Sequence, residues 1–372
     1  MRRYFLIAAL VAAGALLSAV EPDRDLQLRL RPASQTTLVA VGDILLGRSL
    51  GTMMEATGDY SMAFQKMEPE LSAADIAFGN LEGPFCGEPP YPGEGMVFRV
   101  RPAAVAGLKH AGFGILSVAN NHFDNGGDAC IRFSLEHLRR AGIATAGAGE
   151  NFQAAHRPAI LVRHGVRFAF LGYTYAELND TPEATRPVIA GRYPERVRED
   201  VAAALRQADA VIVSLHDGTE YTARVAPETE EFCHAAIDSG AAVVLGHHPH
   251  VPQRIEQYHG GWIFYSLGNF VFQQYSPPEV QTAILARITF RGARVERVSA
   301  EPLVIEWHST PRPATVEEGA FILARLGLEQ PLLWPPAEAA LQTAWTAPPN
   351  AVPFRAVSAR SPALSASPQT AQ

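Results

Sequence analysis

Three histidines in one short segment form the most distinctive chemical pattern in the chain. The segment Gly246-His247-His248-Pro249-His250 follows an apolar run, and Pro249 restricts the backbone between His248 and His250. Two imidazoles that are two residues apart in an extended loop can face one centre, and imidazole is a common ligand of transition-metal ions. We therefore interpret His248 and His250 as metal ligands rather than as surface histidines in a turn.

Polar side chains of matching chemistry follow apolar runs elsewhere in the chain. They are oxygen and nitrogen donors with no thiolate among them: Asp43, Asn80, Glu82, Asn121, His122, His216 and Glu220. With His248 and His250 they exceed the ligands of one ion, so they predict two divalent ions, with Mn, Zn or Fe as the metals. Within the set, we expect His122 to act as the general acid, Glu220 to act as a general acid or base, and the others to bind metal. Glu220 keeps a second interpretation, as a carboxylate that orients a ligand.

The elements that would position these groups are five apolar runs, each of which ends in a polar cluster. These runs have the composition of buried strands and lie at residues 36–41, 75–78, 114–119, 208–215 and 241–245. Helical periodicity appears between them, at residues 130–141, 196–207 and 228–239. Alternating strands and helices predict an α/β fold, in which polar side chains at the carboxyl ends of strands converge on one edge of a sheet.

Other strands have the pattern of antiparallel hairpins, so we expect mixed sheets. Arg163-His164-Gly165 separates residues 159–162 from 166–172, and Gly260-Gly261 separates residues 254–259 from 262–266. Residues 283–290 and 295–305 read as late antiparallel strands, and the folded domain is expected to end near Trp307. In the segment between, we expect Leu267, Phe270 and Phe272 to pack in the core and Gly268-Asn269 to form a turn or bulge.

The motifs occur in an order and at spacings that match a known family. They are Gly42-Asp43 with Arg48, Asn80-Leu81-Glu82, Asn120-Asn121-His122, His216-x-Gly218-x-Glu220-Tyr221, Gly246-His247-His248-Pro249-His250-Val251 and Ser266-Leu267-Gly268-Asn269-Phe270-Val271-Phe272. The chain closely resembles the CapA family of capsule and poly-γ-glutamate biosynthesis proteins, which is related to the calcineurin-like metallophosphoesterases. The likeness spans roughly residues 37–305. It implies a four-layer α/β/β/α sandwich of two mixed sheets, a calcineurin-like metallophosphatase fold with a metal centre at the strand ends.

Carried over by position, the resemblance assigns residues to the ion and phosphate sites of the metallophosphoesterase pattern. These are Asp43, Asn80, Asn121, His122, His216, His248 and His250. Asn80 stands where the wider superfamily has a metal-bridging aspartate, and no histidine follows Asp43 at the Asp-x-His spacing. Both departures weaken the expected metal affinity, and Glu82 is the candidate to supply the missing carboxylate.

Two further positions depart from the pattern of the CapA family itself. Asn125 stands where the family has an aspartate three residues after the histidine, and Asp124 is the candidate to substitute for it. Asp217 replaces the aromatic residue that follows His216, which adds negative charge beside the expected centre.

The 372 residues divide by composition into four segments. Met1-Arg2-Arg3 and the apolar run to residue 20 predict a signal peptide or an N-terminal membrane anchor at residues 1–20. A linker at 21–36, a CapA-like domain at 37–307 and a Pro/Ala/Ser-rich extension at 308–372 follow. We expect this extension to be largely disordered, with room for one short helix at 315–328. From the leader we expect the protein to be exported, and to be either periplasmic or membrane-anchored and facing outside the cytoplasm.

Charge and cysteine content exclude several classes of protein. The 31 Lys and Arg residues against 38 Asp and Glu residues give a net charge of −7, without a basic run after the N-terminus, so we expect no nucleic-acid partner. Cys86, Cys130 and Cys233 are odd in number and lack CxxC spacing. We expect buried thiols rather than a disulfide framework, a thiolate metal site or a catalytic cysteine.

Two functions of different classes fit these features. The first is a metal-dependent hydrolase that acts on a phosphoester, or on an amide or γ-glutamyl link of an anionic cell-envelope polymer. The second is a non-catalytic accessory protein that assists polymer synthesis or export together with membrane synthase or export partners. An anionic polymer would need arginines along its path, and Arg99, Arg101 and Arg254 are the candidates.

Overall fold

The computed structural model describes residues 34–326, which form two large β-sheets with helices on their outer faces. The expected leader at 1–20, most of the linker at 21–36 and residues 327–372 of the expected extension lie outside the described residues. Within residues 34–326, no helix combines the length and the hydropathy that crossing a bilayer requires.

The described residues contain 16 strands, which we number in chain order. They are β1 (Gln35–Ile44), β2 (Ile76–Leu81), β3 (Phe113–Ser117), β4 (Ala144–Ala146), β5 (Ala148–Gly149), β6 (Ala159–Arg163), β7 (Val166–Thr174), β8 (Val188–Ile189), β9 (Ala210–His216), β10 (Val243–His247), β11 (Ile255–Tyr258), β12 (Gly261–Phe264), β13 (Asn269–Val271), β14 (Thr282–Arg291), β15 (Arg294–Ile305) and β16 (Pro311–Pro313). The α-helices of the same residues are α1 (Arg48–Thr57), α2 (Glu68–Ser72), α3 (Val105–Ala111), α4 (Gly127–Ala141), α5 (Phe152–Ala155), α6 (Pro194–Leu205), α7 (Pro227–Asp238) and α8 (Val316–Ala324).

Both large sheets are mixed, as the hairpin pattern predicts. The first has eight strands in the order β16-β15-β14-β1-β2-β3-β4, with β13 also paired to β1. Its strands from β1 to β4 are parallel, and β14, β15 and β16 continue it antiparallel. The second has six strands in the order β11-β12-β10-β9-β7-β6, with parallel strands in the centre and the two predicted hairpins at its edges. Strands β5 and β8 form a small antiparallel pair.

The two sheets pack face to face, and helices cover both outer faces. In β1, Leu38 and Ala40 point into a core shared by the two sheets, whereas Val39 and Val41 point outward to a core shared with α1, α3 and α4. Across the shared core the rings of Phe78 and Phe170 stack at 5.8 Å between centroids. Helices α6 and α7 cover the outer face of the second sheet. This confirms the four-layer α/β/β/α sandwich, because central strands of both sheets, such as β2, β9 and β10, are buried on both faces.

A close approach of two backbone segments brings β13 beside the end of β1. Asp43 N donates to Gly268 O at 3.1 Å, and a Cβ on Gly42 would lie 1.8 Å from that same oxygen. Only glycine fits at residue 42, and Gly268 turns the chain with a φ of 76°. As a result Asn269 pairs with Asp43, while Leu267, Phe270 and Phe272 are buried as predicted.

The folded part continues past the boundary expected near Trp307. Strand β16 pairs with β15, and α8 begins with a capping box between Thr315 and Glu318. Ile322 and Leu326 are buried in the core between the sheets. The boundary was placed too early because a three-residue strand made of Pro311, Arg312 and Pro313 has no strand-like pattern.

The cysteines differ in part from the expectation that all three are buried thiols. Cys86 and Cys130 form a disulfide across 44 residues, so the prediction of free thiols is wrong for this pair. It holds for Cys233, which is buried and free. The sequence spacing of Cys86 and Cys130 does not reveal the disulfide, because the loop after β2 and the first turn of α4 meet only in the tertiary structure.

A buried histidine links α5, α6 and the loop after β7. The two ring nitrogens of His156 each lie 2.7 Å from a carboxylate oxygen, one of Asp180 and one of Asp200, and Tyr173 Oη donates to Asp200 at 2.9 Å. Burial disfavours the charged imidazole, but the hydrogen bonds to Asp180 and Asp200 raise the pKa of His156 to about 9.

We expect this network to make stability depend on pH in the alkaline range. Because the pKa of His156 is raised from an unfolded value of about 6.5, its contribution is complete below about pH 6.5 and is lost as pH rises through about 9. The expected loss is about 3 kcal/mol of unfolding free energy, measured by urea unfolding across that range. The variant His156→Gln should remove this slope. The matched variant His164→Gln, in an exposed pair with Asp75, should retain it. Equal slopes in the wild type and in His156→Gln would contradict the assignment.

Candidate metal centre

The first group of predicted ligands lies at the carboxyl ends of strands from both sheets. Asp43, Glu82 and His216 are fully buried, and their ligand atoms lie within 4.8 Å of one another. His216 Nε2 is 3.6 Å from Glu82 Oε1 and 2.9 Å from Asn121 Oδ1. Asn121 therefore belongs to this group, as its sequence position predicts.

The second group lies directly beside the first. The ligand atoms of Glu220, His248 and His250 also lie within 4.8 Å of one another, with both histidines buried and Glu220 partly exposed. The rings of His216 and His248 are 4.8 Å apart between centroids, and His250 Nδ1 is 3.3 Å from Asp43 Oδ2. Glu220, expected as an acid or base, thus stands where it can bind metal instead.

Unpartnered buried atoms show that the residues fit a metal ion. Glu82 Oε1 and His248 Nδ1 are buried without a hydrogen-bond partner, which is costly for groups of this polarity. His250 Nδ1 lies 2.9 Å from Asn269 Oδ1, so its Nε2 is left for a ligand bond. The donor set of carboxylate oxygen and imidazole nitrogen is the one that Mn²⁺, Zn²⁺ and Fe²⁺ accept.

The electrostatics of the two groups suit metal binding as well. Burial lowers the pKa of His216 well below its usual value and that of His248 to about 4, so both imidazoles are neutral at pH 7. Burial opposes ionisation of Asp43, but the contacts with His247 and His250 lower its pKa well below the usual range. Burial and then the charge of Asp43 raise the pKa of Glu82 well above its usual value. A cation would remove this conflict between two close carboxylates.

The orientation of the Asn80 amide follows from its neighbour Asn120. Asn120 Nδ2 donates to Leu81 O at 2.8 Å, and its Oδ1 accepts from His122 N at 3.1 Å, which fixes the Asn120 amide by backbone contacts. Asn120 Nδ2 also donates to Asn80 Oδ1 at 3.1 Å. The oxygen of Asn80 therefore faces Asn120.

The Asn80 nitrogen consequently faces the centre. It donates to Asp43 Oδ1 at 2.8 Å and to Glu82 Oε2 at 2.6 Å, and it lies 3.2 Å from His216 Nδ1. An amide nitrogen is a donor and has no lone pair for a metal. The geometry thus opposes the prediction of Asn80 as a metal ligand and makes it a crosslink between the two carboxylates.

His122 lies beside the ligand groups in a setting that keeps it neutral. Its Nδ1 is 3.0 Å from Asn125 Oδ1, and its ring packs on Phe98 at 3.9 Å between centroids. Burial lowers the pKa of His122, although the hydrogen bond to Asn125 opposes the shift. Asn125 thus holds the position of the family aspartate, and the exposed Asp124 does not substitute for it.

A carboxylate at residue 125 is expected to raise the pKa of His122 by about 1–2 units, since an opposite charge in contact favours imidazolium. The change is Asn125→Asp, and the measurement is an NMR titration of the His122 ring. The variant Asp124→Asn changes the charge one residue away and should shift the pKa far less. A titration unchanged in Asn125→Asp would show that the contact with Asn125 does not form.

Three residues near the centre were missed or misjudged from the sequence. His247, the last residue of β10, was left out of the predicted ligands, but its Nδ1 lies 3.5 Å from Asp43 Oδ1. Asn269 was expected only in a turn. Asp217 adds no free charge, because Arg192 Nε lies 2.8 Å from it and Thr229 Oγ1 donates to it at 2.7 Å.

A third cluster of possible ligands, Glu230, His234 and Glu256, already has a counter-ion. Arg254 lies 2.9 Å from Glu230 and 2.8 Å from Glu256, so it offsets part of the negative charge of the cluster. Arg254 was one of the arginines expected along a polymer path, and it is already paired. Arg101, a second one, is paired with Glu55. Arg99 donates to Cys86 Sγ and to Glu88 O.

Comparison with known proteins gives matches over most of the described residues. The family described as "Bacterial capsule synthesis protein PGA_cap" matches residues 37–274. The capsule biosynthesis protein CapA of Bacillus anthracis is 31% identical over 295 residues, which cover 77% of this chain and 71% of that protein. The PGA biosynthesis protein CapA of Bacillus subtilis (strain 168) is 33% identical over 238 residues, covering 63% and 62%. The crystal structure of 5′-nucleotidase from Candida albicans SC5314 aligns with 82% of this chain and 56% of its own, at 10% identity and a TM-score of 0.43.

Proposed function

Because this chain belongs to the bacterial capsule synthesis family PGA_cap, we propose that it is a metal-dependent hydrolase of capsule or poly-γ-glutamate biosynthesis. The substrate class is a phosphoester, or an amide or γ-glutamyl link of an anionic cell-envelope polymer. The observation that carries the proposal is the adjacency of two ligand groups with buried, unpartnered atoms on Glu82 and His248.

The proposal gives each ligand group a role at one of two adjacent positions. Asp43, Glu82, Asn121 and His216 would hold one divalent ion, and Glu220, His248 and His250 the other, with Asp43 next to both. When bound, such ions supply Lewis acidity and make water a nucleophile near neutral pH.

The residues of the chain itself supply orientation and proton transfer. Asn80 holds the carboxylates of Asp43 and Glu82 in place through its two amide hydrogens. Asn269 fixes the ring of His250. His122, held through Nδ1 by Asn125, presents Nε2 as a proton acceptor in its neutral form. His122 acts as the general acid only after its Nε2 has taken up a proton.

Metal analysis and turnover of bis(4-nitrophenyl) phosphate together test the proposal. We expect the purified full-length protein to retain Mn, Zn or Fe, and added Mn²⁺ to support hydrolysis that chelation abolishes. The variant His248→Ala should lose this activity, whereas His164→Ala, an exposed histidine away from the centre, should keep it. Protein without a transition metal, or turnover that survives His248→Ala, would contradict the hydrolase.

One observation favours a second function, that of a non-catalytic accessory protein. The Asn80 nitrogen occupies the space between two carboxylates, where a metal ligand would otherwise contribute charge. The accessory protein would keep the fold, bind an ion weakly and assist polymer synthesis or export with membrane partners. Metal uptake without turnover of any phosphoester or γ-glutamyl substrate would favour it.

We also propose that the protein acts outside the cytoplasm. The disulfide between Cys86 and Cys130 supports this, since disulfides persist in oxidising compartments. The basic residues Arg2 and Arg3 before an apolar run support it from the sequence. Thiol labelling of the protein in intact cells, with and without prior reduction, tests it. Labelling of Cys86 without reduction would contradict it.

A further inference from the structure

Arg48 is an ordered cation beside the candidate metal centre. It is the first residue of α1, which follows the strand that carries Asp43, and its backbone is left-handed with a φ of 54°. Its guanidinium lies 4.4 Å from the ring centroid of Phe98, the ring that also packs on His122. Arg48 and His122 thus both pack on the ring of Phe98, which places the two side chains at the same space.

The hydrogen bonds of Arg48 fix its orientation without neutralising it. Nη1 donates to Gln273 O at 2.9 Å, and Nε donates to Gly95 O at 2.9 Å. Among the described residues, no carboxylate lies within ion-pair distance of Arg48, in contrast to Arg101, Arg192 and Arg254. Burial lowers the pKa of Arg48. A partly buried cation without a counter-ion is costly, so an anion is the partner that would complete it.

Tyr221 borders the same space and is held by the same segment. Tyr221 Oη accepts from Gln274 Nε2 at 2.8 Å, next to the Gln273 that binds Arg48, and its ring stacks near His250 at 6.1 Å between centroids. Tyr221, His248 and His250 also have a left-handed backbone conformation, as Arg48 does, with φ values of 63°, 96° and 59°. Non-glycine residues in this region are strained, and such strain concentrates at binding and catalytic sites.

We propose that Arg48, with Tyr221 beside it, binds an oxyanion of the substrate, a carboxylate or a phosphate, next to the metal ligands. This inference rests on the proposed function and names the group that the substrate presents. Arg48 has guanidinium hydrogens beyond those bound to Gly95 and Gln273, and a planar guanidinium pairs with both kinds of oxyanion.

Binding of three probes to the full-length protein tests the proposal, with Mn²⁺ present and after chelation. The probes are inorganic phosphate, γ-glutamylglutamate and the fully methyl-esterified form of that dipeptide. We expect Arg48→Gln to weaken binding of phosphate, of the dipeptide or of both by about tenfold to a hundredfold. Binding of the ester should stay within about twofold, because the ester carries no oxyanion. Arg206→Gln removes the same charge at an exposed site at the end of α6 and should change nothing.

The outcomes separate an anion site from a structural role. A loss confined to phosphate identifies a phosphate as the bound group, and a loss confined to the dipeptide identifies a carboxylate. An equal loss for the ester would show that Arg48 only anchors Gly95 and Gln273, and would overturn the proposal. So would unchanged affinity for both anions, or a wild-type protein that binds neither.

A second measurement needs no variant, should Arg48→Gln fail to fold. Phenylglyoxal modification of Arg48 in the wild-type protein, followed by peptide mass spectrometry, should be slowed by the anion that binds and unaffected by the ester. Equal modification with and without both anions would overturn the proposal. Protein that takes up no metal would refute the hydrolase, while protection of Arg48 after chelation would still support the anion site.

Discussion

Replacing Glu82 with glutamine is expected to lower the affinity for Mn²⁺ or Zn²⁺ by about a hundredfold or more. Groups that merely orient a metal ligand are worth tenfold to a hundredfold, and Glu82 offers a buried carboxylate oxygen with no other partner. The metal-free variant should be at least as stable as the metal-free wild type, because the repulsion between Glu82 and Asp43 disappears. Competition with a chromophoric chelator measures the affinity, and thermal unfolding with and without metal measures the stability.

The matched control for Glu82→Gln is Glu256→Gln. Glu256 belongs to the third cluster and pairs with Arg254, so its loss should leave metal affinity unchanged. If Glu256→Gln lowered metal affinity as much as Glu82→Gln, the centre would have been placed in the wrong cluster. A metal affinity unaffected by Glu82→Gln would remove Glu82 from the ligands.

Replacing Asn80 with aspartate is expected to have opposite effects on the two metal states. In the metal-free protein it introduces a third carboxylate against Asp43 and Glu82 and removes two donated hydrogen bonds, at a cost of about 3–5 kcal/mol. With metal, the new carboxylate adds a ligand, so the rise in melting temperature on adding Mn²⁺ should exceed that of the wild type. Urea unfolding after chelation and metal analysis of the loaded protein measure the two effects.

The variant Asn80→Ala separates lost hydrogen bonds from added charge. It should destabilise the metal-free protein less than Asn80→Asp and should not increase the stabilisation by Mn²⁺. Were the metal-free Asn80→Asp protein as stable as the wild type, the Asn80 nitrogen would not donate to the carboxyl groups of Asp43 and Glu82 as described.

The strands and most of the site could be predicted because their signals are local. Buried strands such as β9 and β10 are continuous apolar runs, and each ends in a polar residue, His216 or His247. Parallel pairing then places those residues side by side, and His216 is in fact paired with His247. The hairpin of β6 and β7 was predictable from its turn, because Gly165 provides the positive φ that the turn needs.

The remaining features depend on contacts between distant segments. The direction of the Asn80 amide is decided by Asn120, 40 residues away, and nothing in either residue type specifies it. Arg48 was recognised as part of the first family motif but not as an anion-binding candidate, because its lack of a counter-ion is a property of what surrounds it. The disulfide of Cys86 and Cys130 was missed for the same reason. Helix α3 was missed because residues 105–111 are too few for a periodic pattern.

The ligands of the centre come from both halves of the sandwich. Asp43 and Glu82 lie at the ends of strands β1 and β2 of the first sheet, whereas His216 and His248 lie at the ends of strands β9 and β10 of the second. An ion shared by them would join the two sheets, so that neither sheet could open without releasing it. Amide hydrogen exchange would then slow in β1 and β9 together when Mn²⁺ is added, and the two sheets would unfold as one cooperative unit.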